Sequence, residues 1–60
     1  MTGARDTATA IVAAARDIIA DKGESGLRVT DVAERCGIAP SVLYHHFRDR
    51  DDLIVAVREA

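Results

Sequence analysis

Val29 to Arg50 reads VTDVAERCGIAPSVLYHHFRDR, and the reading of this stretch decides the fold. Ala33, Gly37 and Leu43 stand at the spacing that two helices joined by a tight turn require. Ala33 is small enough to let the helices approach closely. Gly37 suits the left-handed conformation that ends a helix, because it has no Cβ to clash. Leu43 is expected to plug the angle between the helices. Pro40 fits the first position of the second helix, where its missing N–H would be unpaired anyway. It also pushes Ala39 out of the helical region, which sharpens the turn. Ala39 is a poor cap there, at a cost of about 1 kcal/mol against Ser or Thr. The second helix, over about 40–46, is expected to carry Val42 and Leu43, with Phe47 just after it, into the core. A helix-turn-helix of this kind points to DNA rather than to a small substrate.

Working outward, Ile11, Ala15, Ile18 and Ile19 recur at helical spacing on the N-terminal side. Asp21-Lys22-Gly23 is a stop signal, a cation in the last turn followed by a glycine. A first helix is therefore predicted over residues 7–22, capped by Asp6, Thr7 or Thr9, behind a flexible tail over 1–6. Gly23 to Gly26 is the clearest loop. On the C-terminal side Asp49 caps a fourth helix, and Asp52 three residues later forms a shortened capping box. Three acids there suit the helix macrodipole. Leu53, Ile54 and Val57 make that helix's inner stripe. The fold class is all-α, with four helices around Ile11, Ala15, Ile18, Ile19, Leu27, Val29, Val32, Ala33, Ile38, Val42, Leu43, Phe47 and Leu53.

The bulk numbers bound the function. Sixty residues make one small domain, which buries about 60% of the surface its unfolded chain exposes. With 48% hydrophobic and 30% charged residues the chain is globular rather than disordered. No apolar run reaches the roughly 20 residues of a membrane span, and the start does not read as a signal peptide. The single Cys36 excludes an internal disulfide and fits a reducing, cytoplasmic setting. A net charge of −2 weighs against nucleic acid. Salt screens charges beyond about 8–10 Å, so their placement outweighs their sum.

The order of these segments resembles the N-terminal DNA-binding domain of tetracycline-repressor (TetR) family bacterial regulators. The resemblance rests on an apolar helix ending in Asp21-Lys22-Gly23, Val29-Thr30-Asp31-Val32-Ala33 with Gly37-Ile38, Leu43-Tyr44-His45-His46-Phe47, and Asp49-Arg50-Asp51-Asp52-Leu53. It covers about residues 10–58 and implies a homeodomain-like helix-turn-helix core of three helices plus the start of a fourth. Ile19 replaces a frequent Phe, Arg28 a frequent Thr, Ala39 a frequent Ser, and Arg50 the usual Lys. The change at Arg28 leaves Thr30 as the expected cap of the second helix. Nothing in the sequence corresponds to the family's larger C-terminal domain. The resemblance implies that dimerisation and binding of a small-molecule effector belong to that absent part. It also implies a cytoplasmic, nucleoid-associated repressor with no cofactor, acting on double-stranded operator DNA.

In this reading the N-terminal end of the recognition helix faces base edges in the major groove. Ala39 and the Pro40 ring would touch a thymine methyl group, and Ser41 would hydrogen-bond a base or phosphate. Thr30 is either a base contact or only a cap. The resemblance places the Tyr44 hydroxyl, His45 and Arg50 on phosphates, the last beside the backbone N–H groups that open helix four. His46 is either a phosphate contact or a packing residue beside Phe47. Arg28 and Arg48 are further phosphate candidates, and Arg5 would reach the groove from the tail. Arg16, Arg35 and Arg58 read as surface charges.

Three other readings compete. Cys36, His45 and His46 would have to form a zinc or catalytic site, but adjacent histidines on a helix point about 100° apart and no nucleophile–base pair is evident. The chain would not be an enzyme. A small helical module docking a partner through helix four is the alternative function, because Ile54, Val55 and Val57 offer an apolar stripe. Oxidant sensing by Cys36 lacks a partner cysteine, and free cysteines are usually buried.

Overall fold

The structure, a computed structural model, describes residues 4–59, with side chains described from Thr7 onward. Four helices follow one another: α1 (Ala4–Lys22), α2 (Val29–Cys36), α3 (Pro40–His46) and α4 (Arg50–Glu59), with a 3₁₀ turn at Glu24–Gly26 between the first two. α1 begins at Ala4 rather than Thr7, because Ala and Arg propagate a helix as readily as the residues after them. Asp6, Thr7 and Thr9 therefore lie inside the helix and do not precede it. Residues 1–3 of the expected tail, and the side chain of Arg5, lie outside the described residues.

α1 is about 28 Å long at 1.5 Å per residue, and it sets the 30 Å long axis of the domain. Ile11, Ala14, Ala15 and Ile18 form its buried stripe. Against it pack Leu27, Val29, Val32 and Ala33 from the connection and α2, Leu43 and Phe47 from the region of α3, and Leu53 and Ile54 from α4. Ile19 and Ile38 are half-buried at the margin of this core. Val42 departs from the expectation: it is 38% exposed. Residue 42 lies about 100° from residue 43, and α3 buries Leu43 alone where α1, α2 and α4 each bury an adjacent pair, so Val42 stands on the flank of a narrower contact. Ala14 takes up a core position that the sequence reading does not give it, and Ile54 is buried as the inner stripe of the fourth helix requires. No polar or charged side chain is buried among the described residues.

The turn between α2 and α3 is closed by backbone alone. Gly37 adopts φ 73°, ψ 30°, the left-handed region. Its N–H donates to the carbonyl of Glu34 at 3.0 Å, and the N–H of Ile38 donates to the carbonyl of Ala33 at 3.0 Å. This pair is a Schellman closure, and Ile38 packs back on the core as the motif's apolar contact. Ala39 follows in an extended conformation without a side-chain cap, and Pro40 opens α3.

Candidate nucleic-acid interface

α3 is held to the domain mainly by one side chain. Leu43 has no exposed surface, while Pro40, Ser41, Val42, Tyr44 and His45 are exposed. At about 100° per residue, Ser41 and His45 stand close to opposite Leu43, with Tyr44 and Val42 on the two flanks. Tyr44 is 49% exposed, so about half of its surface lies in solvent. His46 is half-buried, with its ring centroid 6.4 Å from that of Phe47 at a tilt of 47°, which is the packing arrangement. Phe47 turns extended and ends the helix, its N–H donating to the carbonyl of Leu43 at 3.0 Å.

The start of α2 lies beside the start of α3. Thr30, Asp31, Ala33, Glu34, Ile38 and Pro40 line one shallow groove of about 320 Å³. Thr30 and Pro40, far apart in sequence, are thus brought to the same face. Thr30 does not cap α2. The chain enters that helix at Val29, Arg28 is the extended N-cap, and no side chain caps it. Thr30 is the second residue of the helix, past the position from which a hydroxyl reaches the first free N–H groups. Arg28, Thr30 and Ala39 are exposed, as is Arg48 beyond α3.

Arg50 is the largest difference from the sequence reading. Its Nε donates to the carbonyl oxygen of Leu27 at 2.9 Å, and its Nη2 donates to that of Glu24. The side chain is turned onto the turn that follows α1. The anion site expected at the start of α4 is also occupied from within. Asp49 Oδ1 accepts from the N–H of Asp52 at 2.8 Å, and Asp52 Oδ2 accepts from the N–H of Arg48 at 3.0 Å. This is the capping box expected of Asp49 and Asp52, displaced by one residue at its second bond. The carboxylates of Asp49 and Asp52 thus offset the positive end of the helix's own dipole. α3 itself holds no acid, only the two histidines near its end.

The remaining titratable groups lie elsewhere. Cys36 Sγ contacts the carbonyl of Ala10 on α1 at 3.6 Å, and burial pushes its thiol above the ordinary value, with Arg35 opposing weakly. It faces α1 while His45 faces outward, so the fold does not bring Cys36 and His45 together. Arg35 pairs with Asp17 at 3.6 Å across an exposed surface. On α4, Ile54 is buried and Val57 packs on the core, which leaves Val55 as the exposed member of the expected docking stripe. No described helix is long and apolar enough to cross a membrane.

A helix seated by a single leucine beside a glycine-closed turn, with its far side in solvent, fits the matches to known proteins. Residues 11–57 match the sequence profile of the family described as bacterial regulatory proteins, tetR family. The chain belongs to the TetR family. It is 38% identical over 56 residues to the HTH-type transcriptional regulator UidR of Escherichia coli, covering 93% of this chain and 29% of that protein. It is 34% identical over 56 residues to the HTH-type transcriptional repressor Rv3405c of Mycobacterium tuberculosis, covering 93% and 30%. It is 38% identical over 50 residues to the tetracycline repressor protein class A from transposon 1721 of Escherichia coli, covering 83% and 23%. The chain spans less than a third of the length of these relatives. Membership of the TetR family implies DNA-binding transcription regulation.

Proposed function

We propose that this chain is the operator-reading head of a cytoplasmic TetR-type repressor, and that it binds double-stranded DNA with α3 in the major groove. The observation that carries this reading is α3: it buries Leu43 and leaves Ser41, Tyr44 and His45 on an acid-free outer face. A helix about 10–12 Å across fits a groove about 12 Å wide. Ala39 and Pro40 offer apolar contact at the end that enters the groove, and Ser41 offers one hydroxyl. Tyr44 and His45 face phosphates on either side. Thr30 and Arg28 approach from α2, and His46 supports the recognition helix through Phe47. Ala39, Pro40 and Ser41 cannot make the bidentate base pairing of Arg with guanine or Asn with adenine, so direct readout from α3 is modest and phosphate contact supplies most of the affinity.

As in a homodimeric regulator, two such heads would read successive half-sites one helical turn apart. Pairing and the small-molecule effector are assigned to residues outside this domain. The head is a binding module, not an enzyme, and needs no cofactor. The UidR, Rv3405c and class A repressor names support regulation, and two of the three name repression.

The test is an amide NMR titration of the chain with mixed-sequence duplex DNA at low salt. Selective shifts at Thr30, Ser41, Tyr44 and His45 are expected. Tyr44→Phe should weaken binding on the order of three- to tenfold through the loss of one hydrogen bond. Shifts confined to Val55 and its neighbours on α4 would replace this reading with the docking module.

A further inference from the structure

We propose that Arg50 is a positioning residue: by holding the carbonyls of Glu24 and Leu27 it fixes the backbone from which α2 starts, and so sets where Arg28 and Thr30 stand beside α3. The role of Arg28 and Thr30 in DNA binding rests on the function proposed above; the tie itself does not.

The segment it holds has little else to hold it. Leu27 and Arg28 are both extended, at φ −81°, ψ 125° and φ −121°, ψ 136°, between the 3₁₀ turn and the first residue of α2. The Leu27 side chain is anchored in the core. Its carbonyl, however, precedes the first helical acceptor: the first bond of α2 runs from the N–H of Val32 to the carbonyl of Arg28 at 3.1 Å. The Arg50 Nε fills that acceptor. Its Nη2 reaches the Glu24 carbonyl, which also accepts the N–H of Leu27 at 3.1 Å. One guanidinium edge therefore spans the turn from its first residue to the residue after it. Nε and Nη2 offer two N–H groups in a fixed fork, whereas the ammonium of a lysine is a single point on a flexible stem. A second arginine of α4 holds the same turn from outside: Arg58 donates to both carboxylate oxygens of Glu24, at 2.8 and 3.2 Å. That pair is solvent-exposed, while Arg50 is half-buried on backbone acceptors. Arg50 is thus the member that sets geometry.

The two roles open to Arg50 differ in what they leave behind. A phosphate contact releases counterions, so its loss lowers the slope of log affinity against log salt by about 0.9. A positioning residue leaves that slope unchanged and moves the free protein. The experiment compares wild type, Arg50→Met and Arg50→Lys in the full chain by amide NMR without DNA and by salt-dependent titration of a mixed-sequence duplex. The expected result is shifts from Glu24 through Thr30 in both free variants. Affinity should fall on the order of tenfold, as for losing a charged donor to backbone carbonyls, with the slope unchanged. Arg50→Lys should fail to restore either readout, although it keeps the charge. The proposal is overturned if the Glu24–Thr30 amides of the free variants stay in place. It is equally overturned if Arg50→Lys matches wild type while Arg50→Met lowers the salt slope by about 0.9. Should the wild-type chain not bind DNA, the function proposed above fails, and the free-chain spectra alone decide the tie.

Discussion

The two connections that frame α2 are built on opposite plans. After α2, the turn through Gly37 is closed by two backbone hydrogen bonds within six residues and one apolar contact from Ile38. Before α2, the turn from Gly23 to Arg28 has three local backbone bonds, from Gly23 to Ile19, from Gly26 to Gly23 and from Leu27 to Glu24, and the Leu27 side chain anchors it in the core. It is otherwise held by Arg50 and Arg58, which lie 23 to 34 residues further along the chain. The first plan fixes the angle between the two helices of the reading unit with no side chain outside it. The second makes the entry to α2 depend on α4. A helix-turn-helix needs an invariant internal angle, and here that angle is local. Its entry is tied to α4 through Arg50 and Arg58, while Val29, Val32 and Ala33 seat α2 on the core.

The largest expected effect comes from removing the side chain on which α3 turns. Leu43→Ala deletes a side chain with no exposed surface, at a cost of about 2–5 kcal/mol for a buried leucine. Domains of this size hold little more stability than that, so the variant is expected to be largely unfolded by circular dichroism at 25 °C. A cooperative melt close to that of wild type would mean that α3 is seated by something other than Leu43.

The next two effects compare the connections directly through their glycines. Gly23 sits at φ 79°, ψ 168° and Gly37 at φ 73°, ψ 30°. A Cβ at either position would meet nothing within 4 Å, so the cost of alanine is conformational alone. The region occupied by Gly23 is essentially closed to other residues and costs about 1–3 kcal/mol. The left-handed region of Gly37 is open to asparagine and costs alanine about 1–2 kcal/mol. Urea midpoints should therefore fall further for Gly23→Ala than for Gly37→Ala, with Gly37→Asn milder than both. The reverse order would show that the α2–α3 turn, not the α1–α2 connection, carries the greater backbone constraint.

The same contrast explains what was legible in the sequence. Gly37, Ala39, Pro40 and Leu43 act through their own backbone or their nearest neighbours, and each was readable as a residue type at a spacing. The four helices were readable for the same reason, as were the caps Asp49 and Asp52. Arg50 was not, because its acceptors are backbone carbonyls, and a carbonyl leaves no mark on residue identity. The pattern shows only a cation at the start of a helix, and nothing in it points to the carbonyls of Leu27 and Glu24. Thr30 was misplaced as a cap because α2 begins one residue before it, behind Arg28, whose side chain caps nothing. Val42 differs because α3 meets the core along a line that holds Leu43 alone, a contact width that the sequence pattern does not give. Of the candidate site residues, those of α3 and the turn are neighbours in sequence, while the grouping of Thr30 with Pro40 in one groove needed the fold.

The smallest effect separates the two arginines that hold the α1–α2 turn. Arg58 donates to the Glu24 carboxylate, and this hydrogen bond, with the charges of Arg58 and Arg50, holds that carboxyl below the usual carboxylate range. A carboxyl depressed in the folded state contributes stability that is present above its unfolded value. That contribution is lost as pH falls through the folded value. Both partners are exposed, so the contribution is slight and weakened by salt. Glu24→Gln should therefore melt slightly below wild type at neutral pH and low salt, and the gap should close as the pH is taken below the carboxylate range. Arg50→Met should also melt below wild type, and most of its deficit should persist through the same titration. The carbonyls of Leu27 and Glu24 do not ionise, and only the part due to its charge near the Glu24 carboxylate is lost. If the Glu24→Gln gap held constant from neutral to acid pH, the Arg58 pair would not be its source. If the Arg50→Met deficit closed with it, Arg50 would be acting on the Glu24 carboxylate rather than on the backbone of the turn.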